Sequence, residues 1–481
     1  DAATRVRELC SSVALTSSGI LTDGTGSQYF IITVLPSVRA IATTSDGKIY
    51  LRVADKCVPV RSEDLQSLME TKGNFQWEIL KTKFPTDSNN LLKLNNLANR
   101  IRLSERAKDS IRQMDDMEIG EIYHLIDDGF LTNLGVLWIG TPKQRAYICY
   151  PLTVQYIVYD NLEHKVRKED WHDHTLAPDE LLLDIEKQAV ELTYSYEFPN
   201  GLFRKQIHHY NPKLIRELLV NAVAHRSYTI SKDIMIEVYP SRLEISSPGG
   251  FPLGVTRDNI LHEKVRRNPN MIEILYVLGL MEGEGSGYDL IYQLNATEMK
   301  NQPTIIDSYS EVKVIQEADI VEPELLPLLD YILKNYSLSQ KALTAFGLIA
   351  RGQKMSTLDL SHALQLNEEE RLKSYVSLLL QENLVVKRGV KKGTCYYINP
   401  KLIRNAKAGI KTTLKTVEPH VLKTLIYEDL RLHPDSGIRD IYGRLKDADI
   451  RDVRKILYAG VESGELEPHG ASKNRSYTLV N

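Results

Sequence analysis

The sequence predicts an α+β protein of several domains, and three observations predict it. A length of 481 residues, at roughly one domain per ~150 residues, makes about three or four domains. Apolar residues are 42% and charged residues 26%, a globular balance that excludes a disordered, collagen-like or coiled-coil chain. The texture also changes along the chain. It is strand-like at the start and mixed in the middle, and after Val321 it is helical, closed twice by short strands.

Residues 29–35 and 48–53 are rich in β-formers, the second following the turn Ser45-Asp46-Gly47. Residues 62–69 read as a helix with Ser62 as N-cap. Residues 91–123 carry Leu94, Leu97, Ile101, Ile111 and Met114 at helical spacings. The apolar run 135–140 predicts a buried strand and 154–159 another, while 176–196 predicts one long amphipathic helix. In the middle, 212–225 is a helix with Pro212 at its start, and 233–239 and 242–246 are strands. A Gly/Pro-rich loop follows, then helices over 270–280 and 288–294, and a strand over 311–315.

The C-terminal third repeats one order of elements. Helices over 356–364 and 368–381 precede strands 384–389 and 394–398; helices over 420–430, 438–445 and 449–463 precede strands 466–469 and 475–480. Helices followed by a basic hairpin are the order of a winged helix, met here twice. The apolar stripe Leu325, Leu326, Leu329, Ile332 and Leu333 reads equally as a homodimer surface or as a core linking domains.

Sixty Lys/Arg against 63 Asp/Glu leave a net charge of −3, so any nucleic-acid surface must be local. Cys10, Cys57, Cys149 and Cys395 are scattered with no C-x-x-C pair, which fits a reducing, cytoplasmic setting. No apolar run approaches the ~18 residues of a membrane span, so no membrane partner is expected.

Chemistry concentrates in the middle. Glu217, Asn221 and His225 are four apart and stack on one helical face beside Ile215, Leu218, Leu219 and Ala222. A carboxylate can orient or deprotonate a water, and an amide oxygen one turn on can complete the oxygen shell of Mg²⁺. In isolation the stripe reads equally as a solvated face. Two glycine clusters, Ser247-Pro248-Gly249-Gly250 after a strand and Gly283-Glu284-Gly285-Ser286-Gly287 before a helix, are where backbone N–H groups cradle phosphate.

In this order, with Arg267-Asn268-Pro269 between the clusters, the chain resembles the GHKL-type ATP-binding domain, in the divergent branch found in bacterial RecG-like or Schlafen-type transcriptional regulators. The segments 131–135 and His225-Arg226-Ser227-Tyr228 resemble that branch too, and residues 1–80 resemble the later part of an AlbA-type domain whose opening segment is absent. The resemblance implies an AlbA-like α/β domain over 1–85 and a GHKL-type α/β sandwich over 86–320, ahead of winged helices over 321–405 and 406–481. It implies ATP and Mg²⁺ as cofactors, Glu217 as general base and Asn221 as Mg²⁺ ligand. His225, Arg226, Ser246, Ser247, Gly249 and Gly250 would lie along the nucleotide, with Gly283, Gly285, Ser286 and Gly287 at its phosphates. Ser247 stands where the wider superfamily has an adenine-binding Asp. For His225 and Arg226 the alternative is closure of the helix C-terminus as cations.

Residues 401–481 hold 15 Lys/Arg against 11 Asp/Glu, a cationic module in an acidic chain. Candidate contacts to double-stranded DNA are Arg371 and Lys373, then Lys387, Arg388, Lys391 and Lys392 on the first wing. In the second module they are Arg451, Arg454 and Lys455 on the helix, with Lys473 and Arg475 on the wing. Winged helices also dock proteins, which is the competing reading. The expectation is a DNA-binding transcriptional regulator whose ATP site acts as sensor or switch. The alternatives are an ATPase acting on nucleic acid, although no G-x-x-x-x-G-K-[ST] loop is present, and a non-catalytic scaffold.

Overall fold

The computed structural model describes residues 15–22, 24–34, 41–53, 56–60, 76–148, 150–200, 203–252, 255–282, 287–308, 310–366, 369–389, 393–406, 419–445, 448–471 and 475–480, with Arg5, Leu65 and Leu68. Its contacts divide the chain into two compact units, residues 1–294 with 301–319, and 295–300 with 320–481. The molecule is a mixed α+β protein.

Unit 1 is built on a six-stranded mixed sheet. Its strands in chain order are β1 (Val154–Tyr159), β2 (Lys165–Trp171), β3 (Ile234–Val238), β4 (Arg242–Pro248), β5 (Thr304–Asp307) and β6 (Glu311–Glu317). They lie in the order β2-β1-β3-β4-β6-β5, antiparallel except for the β1/β3 pair. Six helices of this part of the chain matter below: α1 (Ser88–Leu103), α2 (Asn133–Ile139), α3 (Pro178–Gln188), α4 (Pro212–Ala224), α5 (Pro269–Val277) and α6 (Gly287–Thr297), the last running on into unit 2. Each starts from local chemistry where the cap is described. Asp87 and Asn90 form a reciprocal capping box on α1, and Asn211 accepts from the Lys213 N–H at the head of α4, where Pro212 occupies the first turn. One core runs from Leu94 and Ile101 of α1 through Leu214 and Leu218 of α4 to Ile236, Ile245 and Ile274.

Two sequence expectations are corrected here. Residues 135–140 are not a strand: Thr132 caps α2 by accepting from the Gly135 N–H, and residues 134–139 are all buried. A uniformly buried run has no solvent face, so neither period shows in its sequence. At Gly135 a Cβ would lie 1.9 Å from the Leu125 carbonyl oxygen, which is why the helix can pack so close. The long helix of 176–196 ends at Gln188, gives way to a turn over Val190–Thr193, and becomes the strand Ser195–Asn200. Glu191 at that turn accepts from the Tyr156 hydroxyl (2.8 Å) and from Arg167, non-local partners that sequence spacing cannot show. Nearer the N-terminus, the apolar run 29–35 is divided between strands Gln28–Tyr29 and Ile32–Val34. Of the helix expected over 62–69, all but Leu65 and Leu68 lies outside the described residues.

Unit 2 contains α7 (Leu326–Asn335), α8 (Gln340–Gly352), α9 (Thr357–Ala363), α10 (Glu369–Gln381), β7 (Val385–Arg388), β8 (Cys395–Ile398), α11 (Pro419–Leu432), α12 (Ile438–Arg444), α13 (Ile450–Glu462), β9 (Leu466–His469) and β10 (Ser476–Leu479). The same small sheet occurs twice. A two-residue strand, Met355–Ser356 or Ser436–Gly437, pairs with the second hairpin strand, which pairs with the first. Leu422, Ile426, Ile441, Val453, Leu457 and Tyr477 fill the core of the second copy. Of the two readings of the 325–333 stripe, packing inside the chain is observed: Leu325, Leu326, Leu329 and Ile332 are buried and only Leu333 faces outward. Among the described residues no helix is long and apolar enough to cross a membrane.

Candidate functional site

Strand alternation builds one wall of the site. Along β4, Ile245 and Ser247 face α4, and the Ser247 hydroxyl donates to the Ala222 carbonyl (2.7 Å). Glu244 turns the other way, to Lys313 (2.7 Å) and Arg242 (2.7 Å). Ser246 shares that outer face and does not line the cleft; its assignment as a ligand residue is corrected by the two-residue period of the strand.

Between α4, the inner face of the sheet, the start of α6 and the segments 251–252 and 255–267 lies a cleft with about 1190 Å³ of space including its open mouth. Glu217, Asn221 and His225 line it on successive turns of α4, opposite Gly249 and Gly250 on one side and Gly287 on the other. Glu217 is 7% exposed, and the Asn221 side-chain amide donates to its Oε1 at 3.0 Å. That bond uses the Asn221 nitrogen and leaves its oxygen, the hard donor, for another partner. Burial pushes the Glu217 carboxyl above its ordinary range, the nearby Glu282 adds to this, and the Asn221 bond opposes it. The arrangement is that of a carboxylate held ready to take a proton.

The glycines are required by space. At Gly287 a Cβ would come 1.9 Å from Glu217 Oε1, so the backbone at the head of α6 lies directly against the carboxylate. Gly249 has φ +95°, a left-handed conformation, and a Cβ there would meet Arg267 Nη1 at 2.5 Å. Gly283, Gly285 and Ser286 lie outside the described residues.

His225 and Arg226 part company. His225 lines the cleft, and burial together with the charges of Arg267 and Arg266 pushes its imidazole down to about 4, so near neutral pH it is an uncharged donor and acceptor and not a cap cation. Arg226 is 1% exposed and does not line the cleft. Its guanidinium donates to the carbonyls of Tyr150 (3.4 Å), Pro151 (3.2 Å), Ser227 (3.3 Å), Ile230 (3.4 Å) and Lys232 (2.8 Å). It is a structural post, and the place along the nucleotide expected of it is corrected. Those carbonyls come from two separate loops, which sequence proximity does not reveal.

Sequence reasoning singled out Arg267 only as part of a motif, with no role, and missed Lys264 and Arg266, which with it form the cationic wall of the cleft. Arg267 donates to the His225 carbonyl (3.0 Å) and to the Gly250 carbonyl, tying the end of α4 to the glycine turn. Asn268 adds bonds to the carbonyls of Ala224 (2.9 Å) and Arg226 (2.8 Å). The run Lys264-Val265-Arg266-Arg267 ahead of Asn-Pro was the available signal. The lining sets Glu217, Glu263 and Glu282 against Lys264, Arg266 and Arg267, so the cleft can hold an anionic ligand together with a divalent cation.

In unit 2 the predicted cations divide. Arg454, Lys455, Arg475, Lys373 and Lys387 are exposed. Arg451 is exposed but forked onto Asp449 (3.2 and 2.8 Å), and Arg388 lies 3.9 Å from Asp452. For Arg371 only the backbone, in α10, is described, and Lys391, Lys392 and Lys473 lie outside the described residues. Among the described residues no group of His, Cys, Asp and Glu could by itself hold a metal ion.

Comparison with known proteins gives likenesses to a family and to solved structures. Residues 231–315, from the start of β3 into β6, match the family described as "Putative ATP-dependent DNA helicase recG C-terminal". The crystal structure of the DIP2311 protein from Corynebacterium diphtheriae is similar in fold, with TM-score 0.55 and 16% sequence identity over 83% of this chain and 78% of that one. No curated protein matches the chain.

Proposed function

We propose that the protein is a DNA-binding regulator whose unit 1 cleft binds ATP with Mg²⁺ and uses it as a sensor or switch, and whose unit 2 carries two winged helices that contact DNA. The observation that carries the nucleotide reading is the buried Glu217–Asn221 pair facing glycine backbone on both sides of one cleft. The likeness of residues 231–315 to an ATP-dependent family supports it.

The residues fit the absent group. Asn221 offers its amide oxygen to Mg²⁺, and Gly287 lets the head of α6 lie against Glu217 and Asn221. Lys264, Arg266 and Arg267 supply countercharge. When bound, Mg²⁺–ATP supplies a transferable terminal phosphoryl group. Glu217, its carboxyl raised by burial, orients a water and takes its proton. Ser247 spends its hydroxyl proton on Ala222 and so faces the cleft only as an acceptor. In unit 2, the exposed Arg454 and Lys455 on α13 and Arg475 beside β10 put three cations on one module, which supports phosphate contact.

Calorimetry of the full chain with ATP and Mg²⁺ tests the cleft. Saturable heat, lost without Mg²⁺ in Asn221-dependent fashion, is expected; neither heat nor a thermal shift at millimolar nucleotide would refute it. Electrophoretic shift of duplex DNA across salt tests unit 2, since binding through Lys and Arg must weaken steeply as salt rises. A second reading, an ATPase acting on nucleic acid, draws on the helicase wording of the matched family. DNA-stimulated ATP turnover would favour it over the switch.

A further inference from the structure

A second recess in unit 1, with about 1070 Å³ of space including its mouth, opens beside the turn Trp77–Ile79 and shares no lining residue with the cleft. Its described lining carries four aromatic rings, Trp77, Phe84, Tyr147 and Tyr150, one cation, Lys83, and no carboxylate. Tyr147 is 63% exposed and Tyr150 40%, and with Trp77 and Phe84 they gather four rings in one recess.

The rings are fixed in place. Trp77 stacks on the buried Tyr228 (centroids 4.8 Å apart, 14° between planes). Phe84 and Tyr147 lie 6.5 Å apart and tilted by 57°, with the Lys83 ammonium 5.9 and 5.6 Å from their centroids. Tyr150 has φ +59°, a left-handed conformation that a bulky residue adopts only when its surroundings hold it there. The holder is Arg226, whose buried guanidinium grips the Tyr150 and Pro151 carbonyls. The same guanidinium donates to the Ser227, Ile230 and Lys232 carbonyls, so the backbone that carries Tyr150 is tied to a second loop.

We propose that this recess is a stacking platform for single-stranded nucleic acid. Bases would lie on Tyr147, Phe84 and Tyr150, and Lys83 would face a phosphate. Every base has a π-face, so such a platform is tolerant of sequence, and a cation unaccompanied by carboxylates selects an anionic backbone. A proline-rich peptide would also use the rings, but it would leave Lys83 without a countercharge. The site is independent of the nucleotide reading of the cleft and distinct from the duplex contacts of unit 2.

The test is fluorescence anisotropy of a short labelled oligothymidine, which does not pair with itself, titrated with the full chain across salt. Wild type binds, and more weakly as salt rises. Tyr147→Ala lowers affinity at least about fivefold, the scale of one lost stack, while Tyr147→Phe keeps it. Lys83→Glu lowers both the affinity and the salt slope. The double variant Arg454→Ala/Lys455→Ala leaves oligothymidine binding unchanged. No binding by wild type overturns the proposal. So does binding that survives Tyr147→Ala and Lys83→Glu but is lost with the Arg454/Lys455 pair, or Tyr147-dependent binding of a proline-rich peptide in place of the oligonucleotide. Thermal melts confirm that each variant is folded.

Discussion

The cleft of unit 1 and the cationic helices of unit 2 use charge in opposite ways. In the cleft, Glu217 is buried with a defined partner, His225 is kept neutral, and Arg267 is tied to two carbonyls. On α13, Arg454 and Lys455 stand in water on an exposed face. Removal from water makes a charge specific and chemically tuned, whereas exposure leaves it a long-range, salt-screened attraction. The difference teaches where sequence alone suffices. An exposed cation does its work wherever a helix face carries it, but a buried acid does its work only through what surrounds it.

The largest effect that would break this contrast is at Glu217. Glu217→Ala should reduce ATP turnover by about 10²-fold or more while nucleotide affinity by calorimetry stays within a few-fold. A turnover that survived would remove the buried acid from the chemistry. Gly287→Ala should come next. A Cβ placed 1.9 Å from Glu217 Oε1 forces the start of α6 or the carboxylate to move, and nucleotide affinity should fall about tenfold or more. Asn221→Ala should weaken binding with Mg²⁺ present and change little in EDTA, because only its oxygen is offered to the cation.

A smaller effect sharpens the contrast through pH. Glu78, 2% exposed, accepts the Asn270 and Met271 N–H groups at the head of α5, and burial raises its carboxyl to about 7. With the folded value above the ordinary one, its contribution is fully present below about pH 4.5 and is lost as pH rises through about 7. A shift of this size corresponds to about 3 kcal/mol. His225, held down to about 4, acts in the opposite direction over much of this range, so the signal is the difference between proteins: the melting temperature of wild type relative to Glu78→Gln should fall between pH 5 and pH 8. The smallest effect belongs to the exposed cations. Arg454→Ala with Lys455→Ala should lower the salt slope of duplex binding by about two, with no change in melting temperature.

What the sequence determined by itself is the local part. The period of α4 placed Glu217, Asn221 and His225 on one face, Gly249, Gly250 and Gly287 of the glycine clusters line the cleft with them, and the repeated helix-and-hairpin order of unit 2 was plain from hydrophobic spacing. Tertiary structure decided the rest. It made a helix of 133–139, whose uniform burial hides its period, and stopped α3 at Gln188 so that Glu191 could reach Tyr156 and Arg167. It turned Ser246 away from the cleft and brought Arg267 into it. It also set Arg226 against the Tyr150 carbonyl and outside the lining of the cleft. Periodicity and turn chemistry act within a few residues. The carbonyls that capture a buried guanidinium, and the low dielectric that retunes an acid, come from segments that only folding brings together.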